Sequence, residues 1–231
     1  MGAHKNLMLL AAILAALVAQ PFVVHLNTSG RVAYDLFVAA VSLGVFLVVF
    51  RERWERQVAV LLALPAVALT VALYVVPGRL AAAASVAYHA SVALFVGFAV
   101  AVIVRDVFRH RSIGLDEVFG AFGGYLLFGL VWGNLYVLVE VLAPGSFTVS
   151  ADVRWQLEDW HLRRALFNYL SFATMASLGY NDITAVTPLA NTLTWLEVMA
   201  AQFYLAVVIA QIVGLKLVQA ARSGGDGRGA G

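Results

Sequence analysis

The sequence predicts an all-α membrane protein, and three observations support this fold class. Apolar residues make up 62% of the 231 residues and charged residues only 12%, whereas ~25% charged residues is usual in a soluble domain. Six apolar runs are long enough for a helix that crosses the hydrocarbon core of a bilayer, which needs ~20 residues. A seventh apolar segment, residues 167–183, is too short to cross it.

The six predicted spanning helices cover residues 6–26, 32–50, 57–76, 81–104, 116–143 and 189–218. The first of them resembles a signal peptide, because Lys5 precedes an apolar run. However, Ala19-Gln20-Pro21 is a poor cleavage site and the apolar run resumes at Phe22, so we expect an uncleaved helix.

The first four helices, residues 1–104, are predicted to form a transmembrane domain without a voltage sensor. A voltage sensor needs arginines repeated within one helix, and the fourth helix contains no arginine, with His89 as its only basic side chain. We interpret His89 as packed and neutral. Residues 105–115 mix charged and apolar side chains, as an interfacial linker does. This linker is either a simple connector or a gating lever.

The distribution of Lys and Arg predicts the orientation of the chain in the membrane. With the N-terminus inside, ten of the 15 basic residues fall on the cytoplasmic side and five outside, and an excess of basic residues marks the cytoplasmic loops. We therefore expect a multi-pass protein of the plasma membrane with both termini in the cytoplasm. Residues 144–188 then face outward.

The short segment FNYLSFATMASLGYNDI at 167–183 is predicted to be a re-entrant helix followed by a loop. Backbone that does not complete a span is tolerated in a membrane only when it is buried in protein or lines water. Gly179 allows a positive φ, and Asn181 is one of the few other residues that tolerate one. Residues of alternating backbone handedness direct successive carbonyls toward one axis, where a ring of carbonyls can replace the water shell of a cation.

The sequence TMASLGYND at 174–182 resembles the filter region of tetrameric potassium channels, whose pattern is T-x-T-T-V-G-Y-G-D. The flanking segments 120–136, 144–147 and 196–215 are similar, in the same order, to the outer helix, turret and inner helix of bacterial two-helix pore domains. The resemblance covers residues 116–218. It implies a pore domain with a re-entrant pore helix and a filter, which follows the four-helix domain.

The resemblance also implies which atoms hold the ion. The ion sites are the Ser177 hydroxyl and the backbone carbonyls of Ser177, Leu178, Gly179 and Tyr180, and the filter ends at Asn181. The permeating ion is expected to be potassium, with sodium as the alternative.

Four further residues are assigned to support the filter: Thr174, Tyr169, Asp182 and Glu140. Asp182 would accept a hydrogen bond from Tyr169 or attract cations. Glu140 would lie at the membrane interface or reach backbone donors behind the filter. The turret, residues 143–164, combines acidic residues with arginines, and we interpret it as a solvated loop.

The last helix is predicted to line the inner cavity with residues at helical spacing: Gln202, Leu205, Ile209 and Val213. Packing into a core is the competing explanation for the three apolar ones. Ala201 occupies the position of the hinge glycine. Glu197 is an intramembrane acid, which indicates a functional role, and we place it behind the filter. Residues 219–231 are Gly-rich and expected to be disordered.

Three functions fit these observations. The first is a homotetrameric channel that conducts potassium passively, with the chain itself, the bilayer and monovalent cations as partners. The second is a non-selective cation channel, because Asn181 replaces the outer filter glycine and Ala176 replaces a threonine of the pattern. The third is a channel-like subunit that does not conduct. No phosphate loop, nucleophile elbow or metal-ligand spacing occurs in the sequence, so we expect no enzyme activity, no cofactor and no nucleic-acid partner.

Overall fold

A computed structural model describes residues 5–76, 79–109, 114–179 and 182–226. Its helices are α1 (Lys5–Ala19), α2 (Thr28–Val49), α3 (Arg53–Val75), α4 (Arg79–Arg109), α5 (Leu115–Leu142), α6 (Trp160–Met175) and α7 (Pro188–Asp226). Two 3-10 turns, Gln20–His25 and Arg154–Leu157, follow α1 and precede α6. One two-stranded antiparallel sheet pairs β1 (Phe147–Val149) with β2 (Ile183–Ala185).

Six helices in the described part of the chain are long and apolar enough to cross a membrane: α1 with its 3-10 turn, α2, α3, α4, α5 and α7. The prediction of an all-α, multi-pass membrane protein is therefore confirmed at this level. α6 has 16 residues, or about 24 Å at 1.5 Å per residue, and does not belong to this set.

Several helix boundaries differ by a few residues from those expected, and two of the differences change the assignment of a segment. α4 continues to Arg109, so residues 105–109 extend this helix instead of starting a separate linker. α7 continues to Asp226, through part of the segment that was expected to be disordered. Extending an existing helix adds one hydrogen bond per ordered residue, and Ala220-Ala221-Arg222 are strong helix formers. Residues 110–113 and 227–231 lie outside the described residues.

Hydrogen bonds define two ends of the helix bundle. At one end, the first turns of α1 and α5 meet, where the Asn6 backbone N–H donates to Oδ1 of Asp116 at 3.0 Å. At the opposite end, Arg31 in the first turn of α2 contacts Asp159, the residue before α6. Tyr74 near the end of α3 lies 3.2 Å from His161 Nε2 in α6. α6 therefore starts at the end of the bundle where α2 begins and α3 ends.

Glycines on α5 allow two other helices to approach its backbone. A Cβ atom at Gly133 would lie 2.2 Å from Oδ1 of Asn168 in α6, and one at Gly129 would lie 2.6 Å from the Phe172 ring. A Cβ atom at Gly124 would lie 2.6 Å from the hydroxyl of Tyr204 in α7. Small residues permit this close packing of membrane helices, where dispersion contacts replace the hydrophobic effect. α5 is thus the helix against which both α6 and α7 are positioned.

Two apolar clusters surround the contacts that α5 makes with α6 and α7. The larger one joins α1, α2, α4 and α5, with Ala59 of α3 and Tyr204 of α7 at its edges, and includes the fully buried Phe50 and Ala99. The smaller one joins α5, the sheet and α6, where the rings of Tyr136, Phe147 and Phe167 meet edge to face in sequence. This second cluster fixes the depth and direction of α6.

Candidate functional site

The chain between α5 and α7 enters the helix bundle and returns to the same end. Asp159 caps α6 at that end, accepting hydrogen bonds from the backbone N–H groups of His161 and Leu162. Near the other terminus of α6, the Ser171 hydroxyl donates to the carbonyl of Gly129 at 2.8 Å, close to the midpoint of α5. β2 then pairs with β1, which follows α5 within a few residues. We call residues 160–182 the α6 segment.

α6 ends in a Schellman motif. The N–H of Ser177 donates to the carbonyl of Thr174 and the N–H of Leu178 to that of Ala173, both at 2.9 Å. Ser177 has φ +55°, the left-handed conformation that this motif requires after the helix. The positive φ of Ser177 is therefore explained by helix termination and does not by itself indicate an ion site.

Gly179 has φ +67°, and this second positive φ lies outside the Schellman motif. Ser177 and Gly179 flank Leu178, which has an ordinary backbone conformation, so handedness alternates over these three residues. Residues 176–179 are exposed in the single chain, and the Leu178 side chain retains 52% of its accessible surface. Tyr180 and Asn181, the last two residues of the predicted filter, lie outside the described residues.

Asp182 connects the returning limb of the loop to two elements. The Tyr169 hydroxyl donates to its Oδ2 at 3.1 Å, so the contact expected between these residues is present. The carbonyl of Asp182 accepts from the N–H of Ser150 at 3.0 Å, next to the sheet. The loop is thus held at its start by the helix cap and at its end by Tyr169 and the sheet.

Glu140 contacts the turret and not the loop after α6. Its two carboxylate oxygens accept from the backbone N–H groups of Gly145 at 2.9 Å and Phe147 at 3.1 Å. Glu140 was expected to lie at the interface or to reach backbone donors behind the filter; the donors it reaches lie instead in the turn that leads into β1. Through hydrogen bonds, Glu140 therefore acts on the turn that leads into the β1–β2 pairing, and its charge also acts on Arg163 of α6.

Glu197 forms the most deeply buried polar cluster near the end of α6. Its carboxylate is fully buried and lies within hydrogen-bond distance of the hydroxyls of Tyr136 in α5 and Ser171 in α6. Because Ser171 is also bonded to Gly129, three helices meet at this point. Glu197 was expected behind the filter, and the structure places it against Ser171 of α6. Its partners were not expected, since neither Tyr136 nor Ser171 is distinctive in the sequence.

The residues expected to line an inner cavity divide between two environments. Gln202, Ile209 and Val213 are exposed on the surface of the single chain, and Leu205 is half-buried. Ala201 is fully buried on another face of α7, and the helix is continuous through it. The first three therefore share an open face of α7 that is available to line a cavity or to contact another copy.

A buried polar cluster at the start of α6 was missed by sequence reasoning. Arg164 is 7% exposed and His161 is 2% exposed, so the interpretation of the turret as solvated is wrong at its C-terminal end. Arg164 donates to the Tyr88 hydroxyl at 2.9 Å and lies 3.5 Å from Asp35 Oδ1. His161 Nε2 lies 3.1 Å from Asp35 Oδ2. A cation this deep needs partners, and those of Arg164 come from α2 and α4.

Comparison with known proteins does not identify the chain, because no family model, curated protein or solved structure matches it. The resemblance to potassium channels therefore rests on residues 116–218 of the sequence. Within the described residues, no group of three or more His, Cys, Asp or Glu side chains is arranged to hold a metal ion.

Proposed function

We propose that this protein is a passive cation channel of the plasma membrane, with potassium as its ion and a homotetrameric pore. The filter would be formed by the carbonyls of residues 177–180 and by the Ser177 hydroxyl, with Asn181 at its outer mouth. The observation that supports this proposal most strongly is the α6 segment. It is a helix too short to span, placed between two spanning helices and followed by an exposed loop that contains the channel-like motif.

The direction of α6 favours a cation near its C-terminal end. The last carbonyls of a helix carry partial negative charge, and α6 ends near the level of Gly129, midway along α5. A low-dielectric environment strengthens such an interaction compared with water. A monovalent cation in a cavity below the loop would therefore be stabilised by four such helix ends in a tetramer.

The exposure of the loop supports assembly into a ring. A single copy supplies one strand of carbonyls, and a filter needs several strands around a shared axis. Residues 176–179 and the open face of α7 with Gln202, Ile209 and Val213 remain uncovered in one chain. Cyclic symmetry would bring both surfaces toward the axis.

Flux through liposomes tests the proposal. Protein reconstituted with a potassium gradient should pass potassium, and Gly179→Ala should abolish the flux because φ +67° is strained for any residue with a Cβ. Gly214→Ala is the matched control, since nothing lies within 4 Å of its Cβ position and its φ is not positive. Normal flux in Gly179→Ala would refute the filter assignment. Absence of flux in an intact wild-type tetramer would favour the non-conducting subunit.

A non-selective cation channel is the second candidate, and the side chains at two positions of the motif favour it. Asn181 adds a side chain where the potassium-channel pattern has its outer glycine, and Ala176 removes a hydroxyl near the innermost site. Reversal potentials in mixed potassium and sodium separate the two candidates. Under the potassium proposal, Asn181→Gly should raise the preference for potassium. If the wild-type reversal potential did not change with the ratio of sodium to potassium, the non-selective channel would be supported.

A further inference from the structure

Glu197 is a fully buried acidic side chain of α7, within the membrane span Pro188–Leu217. Its Oε1 atom contacts the Ser171 hydroxyl of α6, and its Oε2 atom contacts the Tyr136 hydroxyl of α5. Among the described residues, no Lys, Arg or His acts on its charge and no backbone N–H donates to it. Tyr125 and Tyr136, both on α5, are the titratable side chains that face it in this part of the chain. The buried acid therefore depends on two hydroxyls as its polar partners.

The hydrogens of these two hydroxyls are too few for an ionised carboxylate. Each hydroxyl carries one hydrogen, whereas a backbone carbonyl or an ionised carboxylate oxygen can only accept. The Ser171 hydroxyl lies 2.8 Å from the carbonyl oxygen of Gly129 and also contacts Oε1 of Glu197. A single O–H bond serves one of these acceptors well, because hydrogen bonds weaken steeply away from linearity. Since the Tyr136 hydroxyl supplies only the contact at Oε2, the missing hydrogen belongs on Oε1.

The other polar atoms around the two hydroxyls do not supply this hydrogen. The hydroxyl of Thr194, which lies next to Tyr136, donates to the carbonyl of Ala190 within α7 at 2.8 Å. The sulfur of Met175 lies 3.9 Å from the Ser171 hydroxyl and is itself a weak acceptor. Both neighbours therefore add acceptors or use their hydrogen elsewhere, and neither donates to the acid.

We infer that Glu197 is a neutral carboxylic acid, and that it is a positioning residue for the C-terminal end of α6. The protonated Oε1 donates to Ser171, which then donates to the carbonyl of Gly129, and Oε2 accepts from Tyr136. Every hydrogen in the cluster then has one acceptor, and the cost of burying an unpaired charge is avoided. This chain of hydrogen bonds joins α5, α6 and α7 one turn before α6 ends at Met175.

Infrared difference spectroscopy of the full chain in liposomes at neutral pH tests the protonation. Subtracting the spectrum of Glu197→Gln from that of the wild type should leave the carbonyl band of a protonated carboxylic acid, which ionised carboxylates lack. Glu140→Gln is the matched control. Both oxygens of Glu140 accept from backbone N–H groups, so its difference spectrum should contain carboxylate bands instead. Carboxylate bands for Glu197 as well would overturn the inference.

Tyr136→Phe identifies the same band if Glu197→Gln fails to fold. This substitution removes the donor to Oε2, so the acid carbonyl loses its hydrogen bond and its band should move to higher frequency. A wild-type spectrum without an acid band, or a band that does not move in Tyr136→Phe, would overturn the inference. Neither measurement depends on the proposed channel function, because neither requires ion flux.

Amide hydrogen exchange of the last turn of α6, residues 172–175, tests the positioning role. Glu197→Gln keeps one donor and one acceptor in nearly the same shape, so this turn should exchange at the wild-type rate. Glu197→Leu has a similar size but leaves the hydroxyls of Ser171 and Tyr136 without their partner. Exchange in the turn should then be roughly tenfold faster, while exchange in α4 stays unchanged. Wild-type exchange in Glu197→Leu, or equally fast exchange in both variants, would overturn the positioning role.

Discussion

α3 and α6 show opposite relations between composition and burial. α3 has the most apolar span of the six and the smallest buried share, with only Glu55 and Ala59 buried. α6 is shorter and more polar, yet ten of its 16 residues are buried. In a bilayer the apolar side chains of α3 are already in a suitable solvent, so they gain little from packing. Polar and small side chains, which lack partners in lipid, are those that bring helices together.

The largest expected effect contrasts a buried ring of α6 with an exposed leucine of α3. Phe167 is fully buried between Phe147 and its neighbours, whereas Leu61 is 70% exposed. Phe167→Ala should lower the free energy of unfolding by about 3–5 kcal/mol because it leaves a cavity. Leu61→Ala should change it by less than ~0.5 kcal/mol. Thermal unfolding in detergent, followed by tryptophan fluorescence, measures both. Comparable shifts would contradict the contrast between the two helices.

The second-largest expected effect tests whether the small residues of α5 permit the close approach of α6. Gly133→Ala places a Cβ atom 2.2 Å from Asn168 Oδ1 and 3.1 Å from its Cα, so α6 must move away from α5. We expect a loss of about 1–3 kcal/mol, as in other overpacked interiors. Gly214→Ala on α7 meets nothing within 4 Å and should be neutral or slightly stabilising. If both variants melted at the wild-type temperature, the α5–α6 contact would not be tight.

A smaller effect tests the capping of α6. Asp159→Asn should cost about 1 kcal/mol or less, because Asn is also a good N-cap and only the charge is lost. Asp159→Ala, which removes the cap as well, should cost about 0.5–2 kcal/mol. The melting temperatures of the two variants at neutral pH separate the contribution of charge from that of the cap. A larger loss in Asp159→Asn than in Asp159→Ala would contradict this assignment.

The pH dependence of stability provides an independent check on Asp159. Partial burial raises the pKa of the Asp159 carboxyl, but hydrogen bonds from Arg31 and from the N–H groups of Leu162 and His161 outweigh burial, and the pKa is lowered overall. A carboxyl with a lowered pKa in the folded state stabilises the protein above its unfolded pKa of about 4. This stabilisation is lost as the pH falls through the folded-state pKa. The melting difference between wild type and Asp159→Asn should therefore shrink below about pH 4.

The smallest expected effect concerns the returning limb of the loop. Tyr169→Phe removes a 3.1 Å hydrogen bond to Asp182 that is exposed to solvent, which should cost about 0.5 kcal/mol, the low end of the range for a hydrogen bond. Under the proposed function, the selectivity between potassium and sodium should change more than the melting temperature does. Reversal potentials and thermal unfolding of the same preparation test this. If Tyr169→Phe greatly lowered the melting temperature but left the selectivity unchanged, the bond would stabilise the fold and not the filter.

Contacts between residues that are close together in the sequence could be predicted from the sequence. Tyr169 and Asp182 lie 13 residues apart, and their hydrogen bond follows from a short helix that turns back on itself. Glu140 was expected to reach backbone donors, although not those of the turret. Arg164 was interpreted as solvated, because its partner Asp35 lies on a distant helix. Pairing across such a distance leaves no pattern in one sequence.

What the sequence alone determined is the membrane class, the number of spanning helices and the position of the one segment too short to span. The membrane class and the number of spans follow from the length of each apolar run compared with the thickness of a bilayer. The conformational freedom of Gly179 indicated that a loop follows the short segment. Only the tertiary structure decided that Glu197 meets Tyr136 and Ser171 and that Arg164 enters the bundle. Each of these depends on contacts between helices, and in a bilayer hydropathy does not specify which apolar faces pack and which remain in contact with lipid.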